Sequence, residues 1–155
     1  MTLDEQIATI VAEAPQDNRI RVAIAKAVAP VLQATIAGQL QHLEYQILLS
    51  GDRGDWLVTT LAHRQQPDRE KRVVYAFATA ADARAFYQQA DSQAVIITMP
   101  VAQLLFRLLS LPIESLIFFD RSGNLQHGHE IERATLQAQI QQQLQALARG
   151  RTELA

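Results

Sequence analysis

"RVVYAFATAADARAFYQQADSQAVIITMPVAQLLFRLLSLPIESLIFFD", residues 72–120, decides the fold. Its opening "RVVYAFAT" is apolar on both faces, as a central strand should be. Thr79 then offers a hydroxyl cap to the helix "AADARAFYQQA", whose Ala83, Phe86, Tyr87 and Ala90 form one stripe. "AVIITM" reads as the next strand. Pro100 suits the first turn of "PVAQLLFRLLS", a helix so apolar that burial is predicted, with Leu104, Leu105 and Leu108 on its inner face. "SLIFFD" is a third strand and, like the first, apolar on both faces. Strand, helix, strand, helix, strand demands crossover connections over a sheet. If the three strands are parallel, their carboxyl ends bring Thr79, Met99 and Asp120 to one edge, where open α/β sheets tend to bind ligands.

Upstream, "LEYQILLS" and "WLVTTLAHR" are β-rich runs separated by "GDRGD", and a hairpin is the natural reading. Gly51 and Gly54 are expected to supply positive φ in its turn. "QQPDREK" follows as a polar loop. Residues 1–41 look helical. Thr2 and Glu5 have capping-box spacing, and Ile7, Ile10 and Val11 share one face. Pro15 closes this helix and Asp17 can cap a second, with Ile20, Ala23, Ile24, Ala27 and Val28 in register. Pro30 predicts a kink or a fresh helix start. Val31, Leu32, Thr35 and Ile36 continue the pattern as far as Gly38 or Gln41. Downstream, "RSGN" turns, "LQHGHEI" is a short edge strand or extended loop, and residues 132–148 form a last helix. Its Leu136, Ile140, Leu144 and Leu147 make a narrow stripe. Gln137, Gln141, Gln142, Gln143 and Gln145 cover much of the rest without a charge.

The expected architecture is therefore α/β (α+β). A mixed sheet of about five to six strands contains an antiparallel hairpin followed by βαβαβ. An N-terminal helical segment, residues 1–41, packs on the α/β domain of residues 43–155, and a C-terminal amphipathic helix completes one structural domain.

Composition narrows the function. Hydrophobic residues make up 48% and charged residues 19%, the globular range. A net charge of −2 without a basic block argues against a nucleic-acid partner. The absence of cysteine removes disulfides and thiolate chemistry and fits a reducing, cytoplasmic setting. The N-terminus is acidic and amphipathic, unlike a signal peptide, and no run nears ~18 consecutive apolar residues, so no membrane span is expected. Glutamine is abundant and lysine scarce, 19 against 2, which reads as compositional style.

Three constellations could carry chemistry. His127 and His129 stand two apart, so an extended chain would present both imidazoles on one side. Zinc needs three or four ligands, and Glu130 would point the other way. Glu132 joins only if the chain turns, and His42 or His63 only if folding brings it near. The Ser122–Asn124 turn signal, Gly128, and two glutamates before a helix favour a polar connection instead. Asp52, Asp55 and His63 lie beside Ser50, but nothing in the sequence marks that serine as activated. Thr79 and Asp120 offer the strand-end edge, although helix capping and turn formation account for both. Trp56 closes the core edge or, beside Arg53, anchors an interface. The sequence assigns no catalytic residue, no cofactor and no metal ligand.

Tyr75, Phe77, Thr79, Ala83 and Phe86, followed by Leu104, Leu105, Leu108 and Ile117, match the strand–helix pattern of one known family. Over residues 72–124 the chain resembles the N-terminal domain of the SseB family. It departs where that family usually has Asn-Pro after the last strand, carrying Asp120-Arg121 instead. The resemblance implies the fold and brings no catalytic constellation. The function expected is a non-catalytic adaptor, regulatory or assembly factor that binds a protein partner or itself, with the C-terminal helix as the contact. The alternative is a small-ligand- or metal-binding protein or enzyme using Thr79 and Asp120 or the His127/His129 pair.

Overall fold

The computed structural model describes residues 1–51, 54–62, 66, 68–90 and 93–154. A six-stranded mixed sheet carries helices on both faces. Its strands are β1 (Glu44–Leu49), β2 (Thr59–Ala62), β3 (Glu70–Phe77), β4 (Val95–Pro100), β5 (Ser115–Phe119) and β6 (His129–Glu132). The order is β4-β1-β3-β5-β6, with β2 also on β3. β3 and β5 are parallel neighbours, while β1 lies antiparallel between β3 and β4. All three apolar strands therefore point the same way, as the βαβαβ reading requires, but β1 separates β4 from the other two.

The "GDRGD" turn forms and then changes partner. Leu49 bridges Trp56, and the Leu57 N–H donates to the Leu48 carbonyl at 2.8 Å. Both edges of β1 are already taken by β3 and β4, so β2 has no place on it. β2 instead continues the line of β1 along β3, pairing Thr59 with Val73 and Ala62 with Glu70. The antiparallel hairpin leading into βαβαβ is thus β2–β3. Gly54 has the expected positive φ, +70°. Gly51 does not, and is needed for another reason: a Cβ there would run into the Gln93 carbonyl. The "QQPDREK" loop is shorter than expected, since Glu70 and Lys71 already belong to β3.

Side chains alternate across the sheet. Tyr45, Ile47, Val74, Ala76, Leu116 and Phe118 face a layer built from α1 (Leu3–Ala12), α3 (Ala29–Gln39), α5 (Val101–Leu108) and α6 (Arg133–Leu154), while α2 (Asn18–Ala23) contributes no buried residue to it. Leu48, Tyr75, Phe77, Ile117 and Phe119 face α4 (Ala80–Ala90) on the other side. The rings there interlock, Tyr75 edge-on to Phe86 at 5.0 Å and Phe77 stacked on Phe119 at 5.5 Å.

The helix ends follow their caps. Thr2 and Glu5 form the full capping box, and the Asp17 carboxylate accepts from the N–H groups of Arg19 and Ile20. Between α2 and α3 the chain makes a π-helical turn, Ile24–Val28, closed by the Ala29 N–H on the Ile24 carbonyl. Pro30 has no N–H to continue an α-ladder, and the wider turn absorbs that loss without breaking the helix. Ile20, expected on the buried face, is 43% exposed. By length and composition Asn18–Gln39 could cross a bilayer. Here Ala27, Leu32, Thr35 and Ile36 of this helix are buried in the core.

α5 starts at Pro100, which has no side chain able to cap it. Leu43 and Gln6 serve instead. The Val101 N–H donates to the Leu43 carbonyl at 2.9 Å, and the Ala102 N–H to Gln6 Oε1 at 3.0 Å. Gln6, 2% exposed, also donates from Nε2 to the Leu43 carbonyl at 2.9 Å. One buried amide thereby joins α1, the entry to β1 and the start of α5. α6 runs six residues beyond its expected end. It seats Leu136 and Ile140 in the core, with Leu144 and Leu147 half-covered, and leaves its glutamines exposed.

Candidate functional site

The carboxyl ends of β3, β4 and β5 and the entry to β1 meet at one end of the sheet. Thr79, Met99 and Asp120 all lie there, and each has structural work. Thr79 caps α4, its Oγ1 accepting from the Asp82 N–H at 3.2 Å. Met99 is buried in the core. Asp120 holds together the chain entry to β1 and the exit from β5. Its carboxylate accepts the Tyr45 hydroxyl, and its carbonyl lies 2.8 Å from His42 Nε2. A carbonyl can only accept, so that His42 nitrogen carries the proton. The Tyr45 oxygen in turn accepts from the His42 backbone N–H at 3.3 Å.

Tyr45 is fully buried between His42 and Phe118. Burial pushes its phenol well above the ordinary tyrosine value. The Asp120 carboxylate adds to that rise by accepting the proton and by its charge, and backbone N–H donors at His42 and Gln41 offset part of it. The pair is thus a neutral phenol donating to a carboxylate, an arrangement that ties strands together.

Asp82 reaches across the same end from α4. One carboxylate oxygen accepts the Gly123 N–H at 2.9 Å, fixing the turn after β5. The other is buried with no hydrogen-bond partner. Its place in the first turn of α4 puts its charge near the positive end of the helix.

The histidine pair faces a shallow cleft of about 370 Å³ lined by Gln39, Asp120, Arg121, Asn124, His127 and His129, among others. Two constellations separate in sequence, the Asp120 edge and the His127/His129 pair, therefore share one wall. Within it, His129 Nε2 meets Gln39 Oε1 at 2.8 Å, docking β6 onto the end of α3. Glu130 points to the opposite sheet face, as the strand period requires, and pairs there with Lys71 and Ser115. Burial alone would raise its carboxyl, but the Lys71 ammonium and the Ser115 hydroxyl outweigh that and hold it below the usual range. Among the described residues, no three His, Asp or Glu side chains converge on one metal position. Gly128 permits the approach of this segment to β5, since a Cβ would overlap Ile117 and Phe119.

The other sequence candidates resolve locally. Ser50 is a turn residue, its N–H bonded to the Asp55 carbonyl at 2.6 Å. Asp52, Arg53 and His63 lie outside the described residues. Trp56 is 9% exposed and closes the core edge. Sequence reasoning missed Tyr45, Asp82 and Gln6. Tyr45 carried the one usable signal, a polar-tipped aromatic on the inward face of a strand end. Compared with models of known protein families and with curated proteins, the chain matches none.

Proposed function

We propose that this chain is a non-catalytic protein-binding module of SseB-like type, an adaptor, regulatory or assembly factor of the cytoplasm. The observation that supports this reading is the β4 edge. The Val101 N–H bonds the Leu43 carbonyl, so that pair is of the hydrogen-bonded kind, and the antiparallel ladder alternates from there. Val95, Ile97 and Met99 then turn their backbone groups toward β1. Ile96 and Thr98 turn theirs outward. The strand "VIITMP" carries no charge, and Val95 at its start is 52% exposed. Sheet edges are usually blunted by charge, brevity or cover. The opposite edge, β6, has two of these protections: it is four residues long and reads His-Glu-Ile-Glu. β4 has neither, and among the described residues the outward N–H and C=O groups of Ile96 and Thr98 have no backbone partner, which suits an added strand from a partner.

Two variants separate the candidate surfaces. Thr98→Lys puts an edge charge on β4. Gln141, Gln142 and Gln145→Glu charges the exposed face of α6. Sedimentation and affinity capture with wild type and both variants are the measurement. Loss of association in Thr98→Lys alone is expected. Identical monomers with identical partner profiles in all three would defeat the binding-module reading.

A second reading, a small-ligand or metal site, draws support from the cleft shared by Asp120, His127 and His129. Its test is metal content and zinc titration of the wild type against His127→Ala/His129→Ala. Stoichiometric zinc lost in the double variant would favour it.

A further inference from the structure

We propose that a second cleft, beneath Trp56, binds a small amphipathic anion: a carboxylate carried on an apolar body. This cleft lies away from the strand-end edge and from β4, and it does not rest on the adaptor reading. It measures about 570 Å³ and opens between the Gly54–Val58 segment with β2 on one side and the α5–β5 connection on the other. Small-molecule sites are typically clefts of roughly 300–1,000 Å³, mostly apolar with a few placed polar groups.

The lining fits that description. Trp56, Val74 and Ile113 are buried and form an apolar floor, and Leu111 and Pro112 extend it. Val58, 43% exposed, stands at the wall with its apolar side chain toward water. An isolated exposed valine needs no explanation, but one that continues a buried apolar floor does. Above the floor stand two cations, Arg72 from β3 and Arg107 from the last turn of α5. Both are exposed, and among the described residues neither guanidinium forms an ion pair. The contrast with Lys71 is direct. One residue earlier in β3 and on the other sheet face, its charge is paired with Glu130.

Two acidic groups belong in the account. Asp55 lines the cleft, so among the described residues the wall carries one net positive charge, from two arginines and one aspartate. Glu114 lies close by, its carboxylate accepting the Arg72 backbone N–H at 2.6 Å. The Thr60 hydroxyl adds a further polar group. A planar guanidinium fork matches a carboxylate, and two forks over an apolar floor select a ligand with a charged head and a hydrocarbon body. A neighbouring groove of about 450 Å³ between α1 and α5 also touches Arg107, but it holds Glu13 as its counter-charge and no second arginine to complete a pair of forks.

The experiment uses the full chain, whose sole tryptophan is Trp56, so intrinsic emission reports the cleft directly. Decanoate, decanol and inorganic phosphate are each titrated. Decanoate is expected to shift Trp56 emission saturably, one molecule per chain. Decanol should bind about tenfold or more weakly, the factor of a charge-assisted hydrogen bond, and phosphate should give no response. Arg72→Gln/Arg107→Gln should weaken decanoate by a similar factor and leave decanol unchanged. Its emission without ligand should match wild type, because both side chains are exposed. Equal binding of decanoate and decanol would overturn the anion claim, and saturation by phosphate alone would overturn the apolar one. No saturable shift with decanoate, or a shift untouched by the double substitution, would remove the site altogether.

Discussion

The two faces of the sheet are held by different means. Among the described residues, one lies under a layer of four helices, α1, α3, α5 and α6, and a continuous core runs from Ile7 and Ile10 through Leu32 and Leu105 to Phe118 and Leu136. The other has, among the described residues, one helix, α4, covering only the end where Tyr75, Phe77 and Phe119 meet Phe86. Beyond that helix the sheet is roofed by the Lys71–Glu130 ion pair over Ser115, which stays fully buried beneath it. Apolar burial scales with area, whereas a half-exposed ion pair contributes little. The first face should therefore carry the stability, and the second should tolerate change. Substitutions can test that division from the strongest expected effect to the weakest.

Leu105 is fully buried at the centre of the first face. Leu105→Ala should cost about 2–5 kcal/mol, the range for a well-packed core leucine. Phe86, half-buried on the second face, should cost less on truncation to alanine despite its larger side chain. Denaturant midpoints of the two variants decide the comparison. A larger loss at Phe86 would reverse it.

Gln6 tests whether the first face also depends on a polar clamp. Gln6→Ala leaves the Ala102 N–H and one Leu43 interaction unmet in a buried place. A buried donor stripped of its partner costs about 1–3 kcal/mol. Thermal melting should show that loss, while an unchanged midpoint would mean that water replaces the amide.

Tyr45→Phe breaks the tie between β1 and β5 without opening a cavity. The loss expected near neutral pH is about 1–2 kcal/mol, since the Asp120 carboxylate loses a donor. The pH dependence has a definite sign. The folded phenol titrates above the unfolded value of 10.0. Its contribution is complete below that value and disappears as pH rises toward the folded one. The gap between wild type and Tyr45→Phe should thus narrow above about pH 10. A gap independent of pH would show that the hydroxyl contributes nothing through its proton.

These residues also mark what was legible in the chain. Local rules located the elements. α4 begins and ends where "AADARAFYQQA" does, the Thr2–Glu5 box closes, and Asp17 caps α2. Periodicity showed that α5 is buried and that His129 and Glu130 face opposite ways. Pairing was less accessible. Nothing in "GDRGD" says that both edges of β1 are occupied, because the second partner, β4, comes after a whole helix. Long-range polar contacts were invisible for the same reason. Gln6 lies 96 residues from Ala102, and Tyr45 lies 75 from Asp120. A lone Gln among many, or a Tyr within a strand, has no spacing that names its partner.

The smallest effect belongs to the second face and is the most diagnostic of it. Lys71 and Glu130 are 37% and 34% exposed, so water and salt screen their attraction. Glu130→Gln keeps a side chain able to meet Ser115 and removes only the charge. The expected loss at neutral pH is about 0.2–1 kcal/mol, shrinking further in high salt. Because the folded carboxyl titrates below its unfolded value of 4.5, its contribution is present above that value. It is lost as pH falls through the lower, folded one. Wild type and Glu130→Gln should differ slightly at neutral pH and converge in acid. Denaturant midpoints at several pH values, in low and high salt, check it. A difference of several kcal/mol that survives high salt would mean that the ion pair anchors this face as firmly as the helical layer anchors the other, and the contrast between the faces would collapse.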